Sequence, residues 1–480
     1  AAAVSAIKDR NLSRTDGKAT YVEVIGAVTK SATRPQKAIY RFLLGDPATN
    51  PGDFNVRRNN VYTLSVDIQG INTADSRVEV ETFDMNNCAM VVPATGSVTF
   101  DVRKCLSNGF TSESQLNTML SSGAWRVAVL WQDVALANYV TINYNLPGKA
   151  DDKSLGIFSV KSNSGTAGNA VVALYNNATS GGTILWSWHV WITTYQPDGG
   201  QSYNLGINSK LDVTGGEVHT YGAQYQATVN AIAPTMSYST SNTRVIMDRN
   251  LGATGALYSL TTTNAQNYPT YGLRYQWGRK DPFPKVKAGT AGGAVGLQST
   301  YHADGTIADF PKFSDGPVTA SGAIQAPGTF FKTDTEPMDW QIATSEAAWG
   351  HATPKSIYDP CPEGWRIPPI GVWDDFGSNG TAIFTSGTAD GVYKNPAWVD
   401  ANVDIGGFLY KAGSVKAFYP PTGEMYASRE DVDYVGLNAS VWTSYMSGNR
   451  AYNLLLSGSY VYSLYSLTRG TALAIRCIQE

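Results

Sequence analysis

The stretch DPCPEGWRIP, residues 359–368, places one of only four cysteines of the chain inside a proline-rich turn. Its three prolines restrict the backbone, because the pyrrolidine ring fixes the φ angle. Cys361 in this stretch and Cys477 near the end of the chain are 116 positions apart, whereas Cys88 and Cys105 are 17 apart. No CxxC motif occurs and the four histidines are isolated, so the spacing does not predict a zinc cluster. The turn therefore either takes part in chemistry or holds neighbouring segments in place.

Length and charge limit the class of protein. The 480 residues are enough for two to four domains. A net charge of −3 without a basic stripe argues against nucleic acid as a partner. No run of 18 apolar residues occurs, so we predict no membrane span. The first residues, AAAVSAIKDRN, have no signal-peptide pattern, and we expect that a secretion signal or lipid anchor was removed before residue 1.

The front and middle of the chain have the pattern of short strands. VYTLSVDI at 61–68 alternates apolar and polar residues and predicts a half-buried strand, with 38–45 as its partner. Residues 79–194 contain many short β-type runs separated by turns, which predicts an antiparallel sandwich. One helix is predicted at 112–121. In ILWSWHVWI, 184–192, both faces are apolar, so we expect a central strand that is covered on both sides.

The pattern of short strands is interrupted after this region. Residues 197–244 are interpreted as a linker or long excursion. Residues 284–330 are rich in Gly, Ala, Thr and Ser without periodicity and are interpreted as a long irregular loop. Strand-like runs return towards the C-terminus.

The third region resembles the Fibrobacter succinogenes major paralogous domain, whose motifs occur in the family's order across most of 245–480. The resemblance implies an α+β fold related to C-type lectins and to formylglycine-generating enzymes, with chain ends that meet. The matching stretches are MDRNLGAT at 247–254, YGLRYQWGRKDPF at 271–283, DPCPEGWRIP at 359–368, VWTSY at 441–445 and AIRCI at 474–478.

The middle region resembles Bacteroidales fimbrillin-like surface proteins. NNCAMVVPATGSVTFDV at 86–102 and GNAVVALYNNATSGGTILWSWHVWITTY at 168–195 carry this resemblance, and residues 43–70 look like the closing part of such a sandwich. The combination is similar to tip or accessory subunits of fimbriae. The expected fold class is mainly β with some α+β: antiparallel β-sandwich units at 1–78 and 79–196, then the lectin-like domain at 245–480. The front region of 78 residues is short for a whole sandwich, so we expect it to be truncated or incomplete.

The resemblance implies a structural disulfide between Cys361 and Cys477, because it places the first and last elements of the lectin-like domain together. Free thiols and a redox or copper-binding pair, as in formylglycine-generating enzymes, are the alternatives. A second disulfide is predicted between Cys88 and Cys105, since antiparallel strands can bring them together.

Loop aromatics are the predicted ligand-binding residues, because sugars stack on aromatic faces. They are Tyr301, Phe330, Phe331, Trp340 and Trp349. Calcium-dependent sugar binding is disfavoured, since no Glu-Pro-Asn, Gln-Pro-Asp or Trp-Asn-Asp occurs within 245–480. The charged triplets 248–250 and 279–281 are interpreted as charge pairs and turns rather than as catalytic groups. No GxSxG motif accompanies the histidines, so no catalytic residue, metal or cofactor is predicted.

These observations predict a non-enzymatic protein of the cell surface that works by adhesion or assembly. Its expected partners are other pilin subunits, joined by strand donation, and a glycan or protein receptor. The alternative is a free-standing glycan-binding lipoprotein of a polysaccharide-utilisation system.

Overall fold

The structure of the protein is a computed structural model. It is mainly β, as the sequence predicts. Among the described residues no helix is both long and apolar enough to cross a membrane. The structure describes residues 21–29, 35–43, 78–81, 88–102, 113–144, 153, 156–195, 217–220, 243–247, 249–255, 268–287, 294–343, 345, 348–351, 355–362, 365–370, 372–373, 376, 391–394, 407–412, 415–458 and 460–479.

The chain divides into two compact units. Residues 1–85 and 144–152 form the front unit, and residues 86–143 and 153–480 form the second. The front unit contains an antiparallel sheet of β1 (Tyr21–Thr29), β2 (Pro35–Leu43) and β3 (Val78–Glu81), with β2 in the middle. Strand β2 includes most of the strand predicted at 38–45, whereas the predicted strand at 61–68 lies outside the described residues.

Two sheets form the first part of the second unit. One has the order β4-β10-β9-β6 and the other β5-β8-β7. The strands are β4 (Ala89–Val92), β5 (Ser97–Asp101), β6 (Arg126–Gln132), β7 (Val140–Asn143), β8 (Ile157–Ser162), β9 (Gly168–Tyr175) and β10 (Ile184–Ile192). Strand β10 is central and buried from Trp186 onwards, as predicted. It pairs in parallel with β4, however, so the predicted purely antiparallel arrangement is wrong at this edge.

The predicted helix at 112–121 is present as α1 (Glu113–Ser122). Its buried residues, Leu116 and Leu120, are four positions apart and therefore share one helix face. Gly123 follows with a φ of 63°, and its N–H donates to the Leu120 carbonyl oxygen. This left-handed residue is a common way to end a helix.

The rest of the second unit consists of small sheets. Their orders are β11-β12-β24-β16, β13-β23, β14-β15, β17-β18-β19 and β20-β21-β22. The strands are β11 (Glu217–Thr220), β12 (Thr243–Ile246), β13 (Tyr275–Gln276), β14 (Lys312–Asp315), β15 (Thr329–Lys332), β16 (Trp365–Arg366), β17 (Gly391–Lys394), β18 (Phe408–Ala412), β19 (Val415–Tyr419), β20 (Ala439–Ser447), β21 (Arg450–Leu456), β22 (Val461–Thr468), β23 (Ala472–Leu473) and β24 (Ile478–Gln479). A 3₁₀ turn spans Tyr268–Thr270.

The segment predicted as one irregular loop contains regular structure. Strands β14 and β15 pair in parallel, and α2 (Ala320–Gln325) lies between them. The Thr319 side chain accepts a hydrogen bond from the Gly322 N–H and caps this short helix. The helix has no long apolar pattern, which is why periodicity does not reveal it. Most of the predicted linker at 197–244 lies outside the described residues, although β11 falls within it.

The terminal segment, residues 471–478, runs through the centre of the second unit. Every one of its residues is at most 1% exposed. It pairs with elements that are far apart in sequence, so it joins them through its backbone. Its pairings are Ala472 with Met425 and Gln276, Leu473 with Tyr275, Ala474 with Val441, and Ile478 with Ile246 and Arg366.

A disulfide fixes the terminal segment to the DPCPEGWRIP turn. The Sγ atoms of Cys361 and Cys477 are 2.04 Å apart, so the predicted bridge is present. Next to it, Trp365 pairs with Gln479 and Arg366 with Ile478. The turn at 359–368 therefore holds the end of the chain in place.

One hydrophobic core joins the middle region to the C-terminal region. Trp131 and Trp191 share it with Leu251, Trp277 and Trp442. The Trp191 Nε1 atom also donates to the Ala253 carbonyl oxygen at 3.0 Å. Most of the predicted sandwich at 79–196 and the predicted domain at 245–480 thus belong to a single compact unit, whereas residues 79–85 and 144–152 belong to the front unit.

Replacing Cys361 and Cys477 together by alanine is expected to lower the free energy of unfolding by about 5 kcal/mol, because the bridge closes a loop of 116 residues. Urea denaturation followed by tryptophan fluorescence measures this change. The matched control is Cys88→Ala, which removes a buried thiol without opening a ring and is expected to cost about 1–2 kcal/mol. Equal losses in the two proteins would contradict the structural role of the bridge.

Candidate functional site

The second predicted disulfide is not formed. Cys88 is a free, buried thiol, and its Sγ atom donates to the Ile357 carbonyl oxygen at 2.7 Å. Cys105 lies outside the described residues. The prediction failed because β4 and β5, which follow Cys88, belong to different sheets and form no hairpin. Burial raises the pKa of the Cys88 thiol to about 12, so it is protonated at neutral pH and is a poor nucleophile.

The predicted ligand-binding aromatics do not form a surface platform. Four of them are buried, with Trp349 and Phe330 at 0% exposure. The Trp349 Nε1 atom donates to the Arg279 carbonyl oxygen, and the Trp340 Nε1 atom donates to the Trp277 carbonyl oxygen at 2.6 Å. Indoles whose N–H groups are used in this way act as core anchors. The remaining buried residue is Phe331; Tyr301 is partly exposed, and its backbone pairs with Gln132.

The triplet 279–281 forms a buried charge cluster. The Lys280 Nζ atom lies 2.6 Å from Asp281 Oδ1 and donates to the Ser187 carbonyl oxygen at 3.0 Å. The Ser187 hydroxyl donates to Asp281 at 2.6 Å. These bonds connect β10 to the motif YGLRYQWGRKDPF. Because each charge has a close partner, the cluster fits the structural interpretation given to it from the sequence.

A cavity of about 160 Å³ lies beside this cluster. Its lining includes Trp340, the alanines of α2, Lys280 and Tyr358. Its volume is close to that of an engineered apolar cavity, about 150 Å³, that holds benzene. The cavity can therefore accept a small apolar group. Within the described ranges, no three His, Cys, Asp or Glu side chains group as ligands for a metal ion.

A strip of tyrosines forms the candidate functional site. The ring centroids of Tyr460 and Tyr462 are 5.6 Å apart, and those of Tyr462 and Tyr465 are 5.5 Å apart. Tyr434 and Tyr426 form a second pair at 6.4 Å. Tyr465 interacts electrostatically with Tyr426 and Tyr434, so the two groups are neighbours. We call these five residues the tyrosine strip; Tyr460 is 47% exposed and Tyr434 44%.

A bulge between β21 and β22 creates the first part of the strip. Asn453 lies opposite Tyr465 and Leu455 lies opposite Tyr462, so Leu454 faces two residues of β22. In a regular strand, residues three positions apart point to opposite faces. The extra residue shifts the alternation of side chains along β22 by one position, so Tyr462 and Tyr465 lie on the same face.

The loop at 423–434 supplies the other tyrosines. Its two ends are joined by a pair of backbone hydrogen bonds between Glu424 and Asp433, both 2.9 Å long. Gly423 has a φ of 70°, and a Cβ atom at this position would clash with the Asp433 carbonyl oxygen. Met425 pairs with Ala472 of the terminal segment. The loop is therefore fixed to the most buried part of the molecule.

Tyr434 has an unusual backbone conformation. Its φ angle is 57°, in the left-handed region that favours glycine and disfavours bulky side chains. The residue is nevertheless a large aromatic that projects into solvent. Strain retained at an exposed aromatic residue points to a functional rather than a packing role.

A buried carboxylate lies under the strip. Glu424 is 2% exposed and accepts hydrogen bonds from the Tyr426 hydroxyl at 2.9 Å, the Ser440 hydroxyl at 2.8 Å and the Asn438 amide at 3.2 Å. Burial, followed by the charge of Glu424, raises the pKa of the Tyr426 and Tyr465 hydroxyls. Both tyrosines therefore remain neutral at physiological pH.

The loop that carries Tyr426 and Tyr434 also carries charged residues, which we call the rim together with their ion-pair partners. Arg429 contacts Asp431 at 2.7 Å and Asp433 at 2.5 Å, and Lys332 bridges Asp315 and Glu430. This rim has four carboxylates and two cations, which gives it a net charge of −2.

Sequence reasoning did not identify the strip. In the stretch SYVYSLYSLT, Tyr460 and Tyr462 are two positions apart and therefore share one face of an extended chain. This spacing was the only local signal that could have indicated the strip. Tyr465 was hidden by the bulge, and Tyr426 and Tyr434 are brought close by long-range pairing. None of these three placements follows from local periodicity.

Comparison with known proteins gives one match. A family described as Domain of unknown function (DUF4906) matches residues 1–66. Neither curated proteins nor solved structures gave a match. The matched residues belong to the front unit and do not include the tyrosine strip.

Tyr434→Gly is expected to change the free energy of unfolding by less than about 1 kcal/mol. Relief of the left-handed conformation offsets the lost contact with Tyr426, and each effect is about 1 kcal/mol. Tyr462→Gly is the matched control, because Tyr462 lies in β22 and is not among the residues with a positive φ, and it is expected to cost about 2 kcal/mol. Urea denaturation measures both. An equal loss in the two variants would show that Tyr434 serves packing.

Proposed function

We propose that this protein is a non-enzymatic adhesion subunit of the cell surface, and that the tyrosine strip contacts its receptor. The observation that carries the proposal is the grouping of five tyrosines at one surface, including an exposed residue in a strained conformation. Tyrosine offers a large contact area and a hydrogen-bonding hydroxyl at low conformational cost, and it is enriched in binding surfaces.

The proposal of a fimbrial tip or accessory subunit rests on the sequence resemblances. The lectin-like interpretation of 245–480 is supported by the pairing of Ile246 with Ile478, since such domains are expected to have chain ends that meet. The proposed location is extracellular, attached to the outer membrane.

The absence of enzymatic activity is also part of the proposal. Two described residues with reactive side chains are engaged in structural contacts: the Cys88 thiol is buried, and Lys280 is paired with Asp281. His189 is buried against Asn169, and burial lowers its pKa to about 3, so it does not titrate near neutral pH. This favours binding over general acid–base chemistry.

Assembly through strand addition is proposed for the front unit. In the described part of its sheet, β1 and β3 each pair with β2 on one side only. An edge strand offers unpaired backbone groups to which a strand of a neighbouring subunit can be added.

The alternative is a free-standing glycan-binding lipoprotein. The tyrosine faces favour it, because sugars stack on aromatic rings. The two functions differ in the receptor and in the need for subunit partners.

The double variant Tyr462→Ala, Tyr465→Ala is expected to lose receptor binding. Binding of the purified protein to arrays of glycans and of cell-surface proteins measures this loss. Tyr445→Ala, Tyr452→Ala is the matched control, because these rings are also paired, at 5.1 Å, and belong to the same sheet. Equal binding by the two double variants would overturn the role of the strip, and a signal restricted to glycans would favour the alternative.

The isolated chain is expected to form concentration-dependent oligomers or to be cleaved by protease within residues 1–78. Sedimentation velocity and limited proteolysis test this expectation. A monomer whose first 78 residues resist protease would refute the need for a donated strand.

A further inference from the structure

We propose that Tyr426, Tyr434 and Tyr465 form a cage for an alkylammonium group, with Glu424 as its floor, and that its ligand is a lysine side chain of a protein receptor. This inference rests on the proposed function and specifies the chemistry of its binding surface. It would decide between a protein receptor and a neutral glycan.

The cage walls have a geometry suited to a cation. The rings of Tyr426 and Tyr434 are nearly perpendicular, at 86°, and their centroids are 6.4 Å apart. A cation bound over one ring is thus within reach of the other, since attraction to an aromatic face extends to about 6 Å. Tyr465 interacts electrostatically with both Tyr426 and Tyr434, and it is the third wall of the proposed cage.

The floor of the cage carries a negative charge without a close counter-ion. In the part of the chain that the structure describes, no Lys or Arg nitrogen lies within 4.0 Å of the Glu424 carboxylate. Its hydrogen-bond donors, Tyr426, Asn438 and Ser440, are neutral, so they stabilise the carboxylate without cancelling its charge. A buried charge of this kind is costly unless a cation approaches it.

Two arginines near the proposed cage donate their hydrogen bonds to backbone carbonyl oxygens. Arg274 lies within electrostatic range of Glu424, but its guanidinium donates to the carbonyl oxygens of Thr422 and Gly423. Arg450 lies near Tyr465 and donates to the Ser466 carbonyl oxygen at 2.6 Å. The positive charge of Arg274 weakens the electrostatic attraction of Glu424 for a cationic ligand, whereas the net negative charge of the rim strengthens this attraction.

The rim gives the reason to choose a protein ligand. The four carboxylates, Asp315, Glu430, Asp431 and Asp433, outnumber the two cations, Lys332 and Arg429, so the rim is acidic. An acidic rim attracts a basic surface and speeds its association. Tyr462 and Tyr460 extend the contact surface beyond the cage, which suits a partner larger than one ammonium group.

The test uses two peptides that differ by one charge: acetyl-Gly-Lys-Gly-amide and the same peptide with an acetylated lysine. Isothermal titration and ligand-observed NMR of the full chain measure binding. We expect the lysine peptide to bind at least about tenfold more tightly than its acetylated form, and its affinity to fall as salt rises.

Glu424→Gln removes the charge and retains a hydrogen-bonding side chain, and Tyr434→Leu removes one wall at an exposed position. Each is expected to weaken binding of the lysine peptide about tenfold, and Tyr445→Leu is expected to leave it unchanged. The Tyr434 variant keeps the test valid if Glu424→Gln impairs folding.

Several results would overturn the inference. They are equal binding of the two peptides, no measurable binding of either, or binding that both variants leave unchanged. Binding of choline without binding of the lysine peptide would overturn the assignment to lysine. A receptor or glycan that still depends on Tyr462 and Tyr465 would then preserve the proposed function while the cage fails.

Discussion

The buried terminal segment at 471–478 is the constraint on which the second unit depends. Its backbone pairs with five separate parts of the chain, and all of its residues are excluded from solvent. Cys477 within it is joined to Cys361, so the segment cannot leave without unfolding the DPCPEGWRIP turn. Arg476 adds a further anchor, because its guanidinium lies 3.9 Å from the Tyr419 ring centroid. The last residues of the chain therefore organise elements that precede them by more than two hundred positions.

The tyrosine strip takes its geometry from this segment. Met425 pairs with Ala472, which fixes the loop that presents Tyr426 and Tyr434. Val441 pairs with Ala474, which fixes the sheet whose outer strand presents Tyr462 and Tyr465. Both elements are thus held by backbone pairing with the terminal segment, and preorganisation of this kind lowers the entropic cost of the proposed binding. The proposed adhesive function thus follows from a scaffold that fixes aromatic side chains at its surface.

Local sequence patterns predicted the elements whose structure depends on their own residues. The apolar faces of 184–192 revealed a central strand, and 112–121 revealed α1. The disulfide between Cys361 and Cys477 followed from a family resemblance. Local sequence patterns gave wrong predictions where pairing between residues far apart in sequence determines the structure. Cys88 faces Ile357 because β4 joins β10, and Trp349 is buried because its indole reaches the backbone of Arg279. The bulge that aligns Tyr462 with Tyr465 arises from the register of two strands, which neither strand encodes alone.

Hydrogen–deuterium exchange of the native protein, read on peptides that cover 471–479, tests the central role of the terminal segment most directly. Its amides are buried and bonded, as in the hydrogen bond from the Ala472 N–H to the Met425 carbonyl oxygen at 2.8 Å. We expect these amides to exchange among the slowest in the chain, at the rate of global unfolding. Exchange within minutes, at the rate of surface loops, would contradict it.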